Sequence, residues 1–142
     1  MGDMCEDIVR KLFKKYSIKL KPTQPSCYYD FEVKNLMVEV KGRNCSSKAY
    51  RETLIGSNKI EHYLNRPNSE LYKFLLVFVF TDGIFAHFYD RNYPYSTCDS
   101  PITSYRKMHH LIPVDRLKPI RQILSELKPE YRGDQKKTYR DL

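Results

Sequence analysis

The chain has 142 residues, 41% of them hydrophobic, which suits one folded domain with its own core and excludes global disorder. A formal net charge of +8 points to a polyanionic partner, while four widely scattered cysteines, with no C-x-x-C pair, read as free thiols in preference to disulfides or a zinc site. The longest apolar run, Phe74 to Phe80, is far short of a membrane span, and the N-terminus lacks a basic-then-apolar leader pattern. The expected setting is therefore intracellular and reducing, cytoplasmic or nuclear, away from any membrane.

Ile8, Leu12 and Tyr16, joined by Val9 and Phe13, recur at helical spacing and predict a helix over Asp3 to Tyr16. Asp3, Glu6 and Asp7 lie in its first turns and Lys11, Lys14 and Lys15 toward its other end, each matching the helix dipole. Ser17 to Lys21 reads as a short strand, Pro22 to Ser26 as a loop, and Cys27 to Gly42 as a β-hairpin. Ser46 or Ser47 is placed to cap a second helix running to about Leu64 and ended before Pro67, with Gly56 as its weak point. Phe74 to Phe80 is continuously apolar, as a central strand covered on both faces requires. Asp82-Gly83 reads as a hairpin turn into a strand over Ile84 to Tyr89. Arg91 to Tyr105 reads as a loop, and His109-His110 are also expected in a loop. Asp115 is the expected cap of a last helix carrying Leu117, Ile120, Leu124 and Leu127. The expectation is one α/β domain over residues 1–128, a mixed central sheet flanked by helices, with a loosely ordered tail over 129–142.

The hairpin carries the chemistry. With Lys34-Asn35 as a two-residue turn, Val33 opposes Leu36, Phe31 opposes Val38 and Tyr29 opposes Val40, so one face is entirely apolar. The other face carries Tyr28, Asp30, Glu32, Met37, Glu39 and Lys41, with Asp30 directly opposite Glu39. Two carboxylates so close repel unless something positive lies between them, and Mg²⁺ is commonly held by one or two carboxylates plus water and phosphate oxygens. Lys41 projects from the same face, beside such a metal and an incoming phosphate. These parts suit phosphodiester hydrolysis; an ordinary solvent-facing strand with alternating charges is the plain alternative.

Asp30 followed on the next strand by Glu39-Val40-Lys41 resembles the PD-(D/E)xK nuclease superfamily, whose domains have a restriction-endonuclease-like fold. The order of elements over residues 3 to 90 is similar too, an αβββαβ core. Tyr29 stands where the family pattern has proline. A competing local Asp30-x-Glu32-x-Lys34 triad puts Lys34 in the turn, although Glu32 remains an accessory candidate.

The resemblance implies a Mg²⁺-dependent DNA endonuclease, with Mn²⁺ able to substitute. Asp30, Glu39 and Lys41 would be catalytic, and Asp30, Glu39 and Val40 would hold the metal. It also implies an acid from the first helix, for which Glu6 is the candidate; a dipole-complementing role explains Glu6 equally well. Lys59, with Lys48 behind it, is the candidate phosphate contact from the following helix, against a solvated helix face. Arg43 is the candidate contact to the DNA backbone, with a structural role as its alternative. Duplex or branched DNA is the implied partner, with a homodimer to cut both strands and no nucleotide cofactor. The alternatives are an RNA endonuclease of the same fold, a catalytically inactive nucleic-acid-binding protein, and a basic structural domain.

Overall fold

The computed structural model describes residues 2–24, 27–100, 107–127 and 129–131. Helix α1 (Gly2–Lys15) precedes strands β1 (Lys21–Pro22), β2 (Phe31–Val33) and β3 (Leu36–Gly42). Strand β4 (Glu52–Gly56) runs straight into helix α2 (Ser57–Asn65). Strands β5 (Lys73–Phe80), β6 (Gly83–Phe88), β7 (Thr97–Ser100), β8 (Lys107–Pro113) and β9 (Lys118–Pro119) follow, and then helix α3 (Ile120–Glu126). The fold is mixed α/β. A six-stranded sheet runs in the order β1-β2-β3-β5-β6-β9, and a three-stranded sheet in the order β4-β8-β7. Within the larger sheet β3 and β5 are parallel and every other pairing is antiparallel.

Side-chain alternation along β3 and β5 divides the core in two. Leu36, Val38, Val40, Leu75 and Val77 face α1 and α3, meeting Val9, Phe13, Ile120 and Leu124. Met37, Phe74, Leu76, Phe78 and Phe80 face the other way and meet Ile60 and Tyr63 of α2, Ile55 of β4 and Ile112 of β8. Glu39 and Lys41 belong to this second face by the same alternation.

The hairpin turn at Lys34-Asn35 is as expected, with Lys34 at φ 52°, and Val33 pairs Leu36 and Phe31 pairs Val38. The predicted pairing fails beyond that point. The Asp30 N–H reaches the Val38 carbonyl at 3.0 Å although Val38 is already the partner of Phe31. This bulge adds a residue to one strand and reverses the facing of what precedes it. Tyr29 therefore joins the core on the α2 side instead of opposing Val40.

Other differences have local causes. The second helix starts at Ser57, not at Ser46 or Ser47, because the Ser47 N–H and hydroxyl bind the Asp82 carboxylate at 2.8 and 2.7 Å. Glu52–Gly56 instead pairs with Lys107–Pro113, so His109 and His110 lie in a strand and not in a loop. The turn after β5 is centred on Thr81-Asp82, one residue earlier than expected, with Gly83 at φ 151° opening β6. Thr97–Ser100 is a strand inside the expected loop, whose residues 101–105 lie outside the described residues. The last helix begins after Pro119 and Asp115 does not cap it. Proline disfavours the helical region for the residue before it, and Lys118 is accordingly extended at the sheet edge. At the start of the expected tail, Pro129–Tyr131 forms a short turn that buries Tyr131, whose hydroxyl donates to Asn35 Oδ1 at 2.6 Å. Residues 132–142 lie outside the described residues.

Gly42 ends β3 where α1 crosses it: a Cβ there would lie 2.8 Å from Cys5 Sγ. Gly42→Val is expected to lower stability by about 1–3 kcal/mol, seen as a drop in Tm. Adding Cys5→Ala should restore part of it. Unchanged thermal unfolding of the single variant would show that α1 does not bear on this strand end.

Candidate active site

Glu39 sits in the middle of β3, between β2 and β5, and is only 1% exposed. Its Oε2 lies 3.2 Å from Lys59 Nζ and 3.5 Å from Lys41 Nζ. Lys41 is two residues along the same strand, and Lys59 comes from the first turn of α2, which packs over that face. Glu39 Oε1 is buried and has no hydrogen-bond partner. Burial, and secondarily the nearby Asp30 charge, push the Glu39 carboxyl up to about 7, with the two lysines pulling the other way.

Asp30 is fixed differently from the expected cross-strand pair. Pairing of β2 with β3 stops at Phe31, and the bulge turns the Asp30 carboxylate so that Oδ2 accepts the Val40 N–H at 2.8 Å. Asp30 thus stays beside Glu39 through the backbone of β3. Asp30 and the unpartnered Glu39 oxygen lie close together, with two ammonium groups on the other Glu39 oxygen. A divalent cation fits that donor set, since hard oxygen ligands and one or two carboxylates suffice for Mg²⁺ when water and phosphate complete its shell. Among the described residues no group of three or more His, Cys, Asp or Glu side chains gathers to form a closed metal cage.

The structure brings together Asp30, Glu39, Lys41 and Lys59. Val40 contributes its N–H to Asp30. Glu6 is half-buried on α1, next to the Cys5 that packs on Gly42. Arg43 borders the cleft beside Lys41 and Lys59 and is also tied into the fold. Its Nε donates to Thr53 Oγ1 at 3.0 Å, its Nη atoms donate to the Gly42 and Leu54 carbonyls, and its guanidinium lies over the Phe78 ring at 5.6 Å. It braces β3 against β4. Lys48 is exposed in the loop before β4 and does not line the cleft beside Glu39. Glu32 accepts the Tyr29 hydroxyl at 2.9 Å and is bound up in that contact.

A cleft of about 670 Å³ opens beside Lys41 and Lys59, between the second face of the main sheet and the β4–β8 pair. Arg51 and Lys107 line it as well, residues that sequence reasoning missed because their proximity depends on the β4–β8 pairing. No described helix is long and apolar enough to cross a membrane, and the described cysteines are free. Comparisons with known protein families, curated proteins and solved structures found no match.

The raised Glu39 pKa has a measurable consequence in metal-free protein. The folded state holds this proton more tightly than the unfolded chain, so the contribution is fully favourable below pH 4.5 and is lost as pH rises to about 7. In EDTA, the stability of the native protein relative to Glu39→Gln should fall by up to about 3 kcal/mol across that window and then level off. Every other titratable group is common to both proteins, so its contribution cancels in the comparison. Parallel stability curves would refute a strained buried carboxylate.

Proposed function

We propose that the chain is a metal-dependent endonuclease acting on DNA, with the restriction-endonuclease-like arrangement that its Asp30…Glu39-Val40-Lys41 pattern resembles. The observation that carries this reading is Glu39. A carboxylate 1% exposed in a central strand, with one oxygen held by two lysines and the other without a partner, is a poor structural device. Well-packed apolar residues generally stabilise such a position as well or better. As part of a metal-binding pair with Asp30 it has a use.

The roles follow from position. Asp30 and Glu39 hold the cation, which when bound supplies an activated water and polarises the phosphate. The Val40 N–H keeps Asp30 oriented. Lys59 and Lys41 grip Glu39 Oε2 and border the cleft, so their ammonium groups also face an arriving phosphodiester. There they offset the negative charge that grows in the transition state. The net charge of +8 favours capture of a polyanion. Cutting both strands of a duplex with one site per chain calls for a pair of chains.

Cleavage is expected with Mg²⁺ or Mn²⁺ and none in EDTA, assayed on plasmid, linear duplex, branched DNA, single-stranded DNA and RNA. Asp30→Ala, Glu39→Ala and Lys41→Ala should each lower the rate at least about a hundredfold while circular dichroism stays native. Normal cutting by Glu39→Ala and Lys41→Ala would place the chemistry elsewhere. Binding without any cutting would leave a nucleic-acid-binding protein. A strong preference for RNA would make the enzyme a ribonuclease.

A further inference from the structure

We infer that the cleft beside Glu39 receives an unpaired DNA strand, so that the preferred substrate carries a single-stranded segment such as an overhang or flap. This rests on the nuclease reading for its catalytic consequence but not for the binding itself. The cleft's volume, about 670 Å³, falls in the range of about 300–1,000 Å³ that suits molecules the size of one or two nucleotides.

The lining has the two components that a single strand needs. Lys41, Lys59, Arg51 and Lys107 supply positive charge against one acidic neighbour, Glu52. Tyr50, 71% exposed, supplies an aromatic face, while Phe80 reaches the lining from the buried core. A basic track with aromatic faces is how proteins hold unpaired strands without reading their sequence. The geometry is braced. Asp82 binds Ser46 and Ser47 and so anchors the loop that carries Tyr50. At the head of α2 Gly56 lies against the Asn58 side chain, since a Cβ there would lie 2.7 Å from Asn58 Oδ1. Lys41 and Lys59 border the cleft and also bind Glu39, so a phosphodiester drawn along the track arrives at the buried carboxylate. Arg51, Lys107 and Tyr50 are exposed and bear on binding alone.

The test is a fluorescence titration of the full chain in EDTA. The probe is a labelled oligothymidylate about twelve nucleotides long, with blunt duplex and thymidine monophosphate as competitors. The oligonucleotide should bind at least about tenfold more tightly than the blunt duplex. Lys107→Gln combined with Arg51→Gln should weaken oligonucleotide binding about tenfold and flatten its salt dependence, and Tyr50→Ala should weaken it about tenfold. Duplex affinity should change little in either variant. Equal or tighter binding of blunt duplex would overturn the inference, as would unchanged oligonucleotide affinity in both variants. Equal competition by the mononucleotide would make the cleft a nucleotide pocket and overturn it too. If the strand binds as described but no metal supports cutting, the nuclease reading fails and the cleft assignment stands. Metal-dependent cutting that favours blunt duplex and ignores Arg51, Lys107 and Tyr50 reverses that outcome.

Discussion

The structure turns on the burial of one charged group. Glu39 lies in a strand flanked on both sides, its neighbours along β3 are apolar, and α2 closes over it. Removing a carboxylate from water is costly, and the leftover polar atom adds the penalty of an unmade hydrogen bond, about 1–3 kcal/mol. Lys41 and Lys59 offset part of this. Their positions are in turn set by the fold: strand alternation puts Lys41 on the same face, and the β3-to-β5 crossover puts the start of α2 above it. The parallel pairing, the helix and the ion cluster are therefore one arrangement seen at three levels.

The two faces of the main sheet divide the work. The face toward α1 and α3 is an apolar core that binds the layers together. The face toward α2 is apolar under the middle of the helix, but α2 has only nine residues and cannot cover the sheet alone. The β4-β8-β7 sheet covers part of the remainder through Ile55 and Ile112, and the gap at its margin is the cleft. Arg43 spans the join, tied to Thr53 and Leu54 of β4 while resting on Phe78 of β5. Its guanidinium thus holds the cleft wall in place, the structural role that stood beside a DNA contact as its alternative.

What the sequence made legible follows the range of the interactions involved. The α1 stripe, the β5 run, the hairpin turn and the facing of Glu39 and Lys41 all depend on periodicity within a few residues. The bulge at Asp30 does not, because it arises where β2 meets both β3 and β1, and it carried Tyr29 to the opposite face. Ser46 and Ser47 have the local look of a helix cap, yet a distant carboxylate, Asp82, takes their donors. Strands β4 and β8 lie on either side of the α2–β7 stretch and stabilise each other only when paired, so neither has a strong pattern of its own. The cleft residues Arg51 and Lys107 were hidden for that reason. Lys59 was accessible because the resemblance pointed to the helix after Glu39-Val40-Lys41, even though that helix starts later than expected.

The asymmetry of the Glu39 carboxylate weighs against the plain reading of a charged strand. A solvent-facing cluster leaves its oxygens hydrated and its lysines free to move, with little net energy in the pairs. Here both lysines converge on Oε2, and Oε1 is buried without a partner while Asp30 is close enough to raise the carboxyl further. A binding surface for phosphate gains nothing from two acids close behind it, since they repel the ligand. A structural core gains nothing from an unpaired oxygen. The divalent cation proposed above would resolve both conflicts at once. On the proposed reading it would satisfy the oxygen the lysines leave, relieve the repulsion between the two acids, and supply a positive centre for phosphate beside the basic cleft.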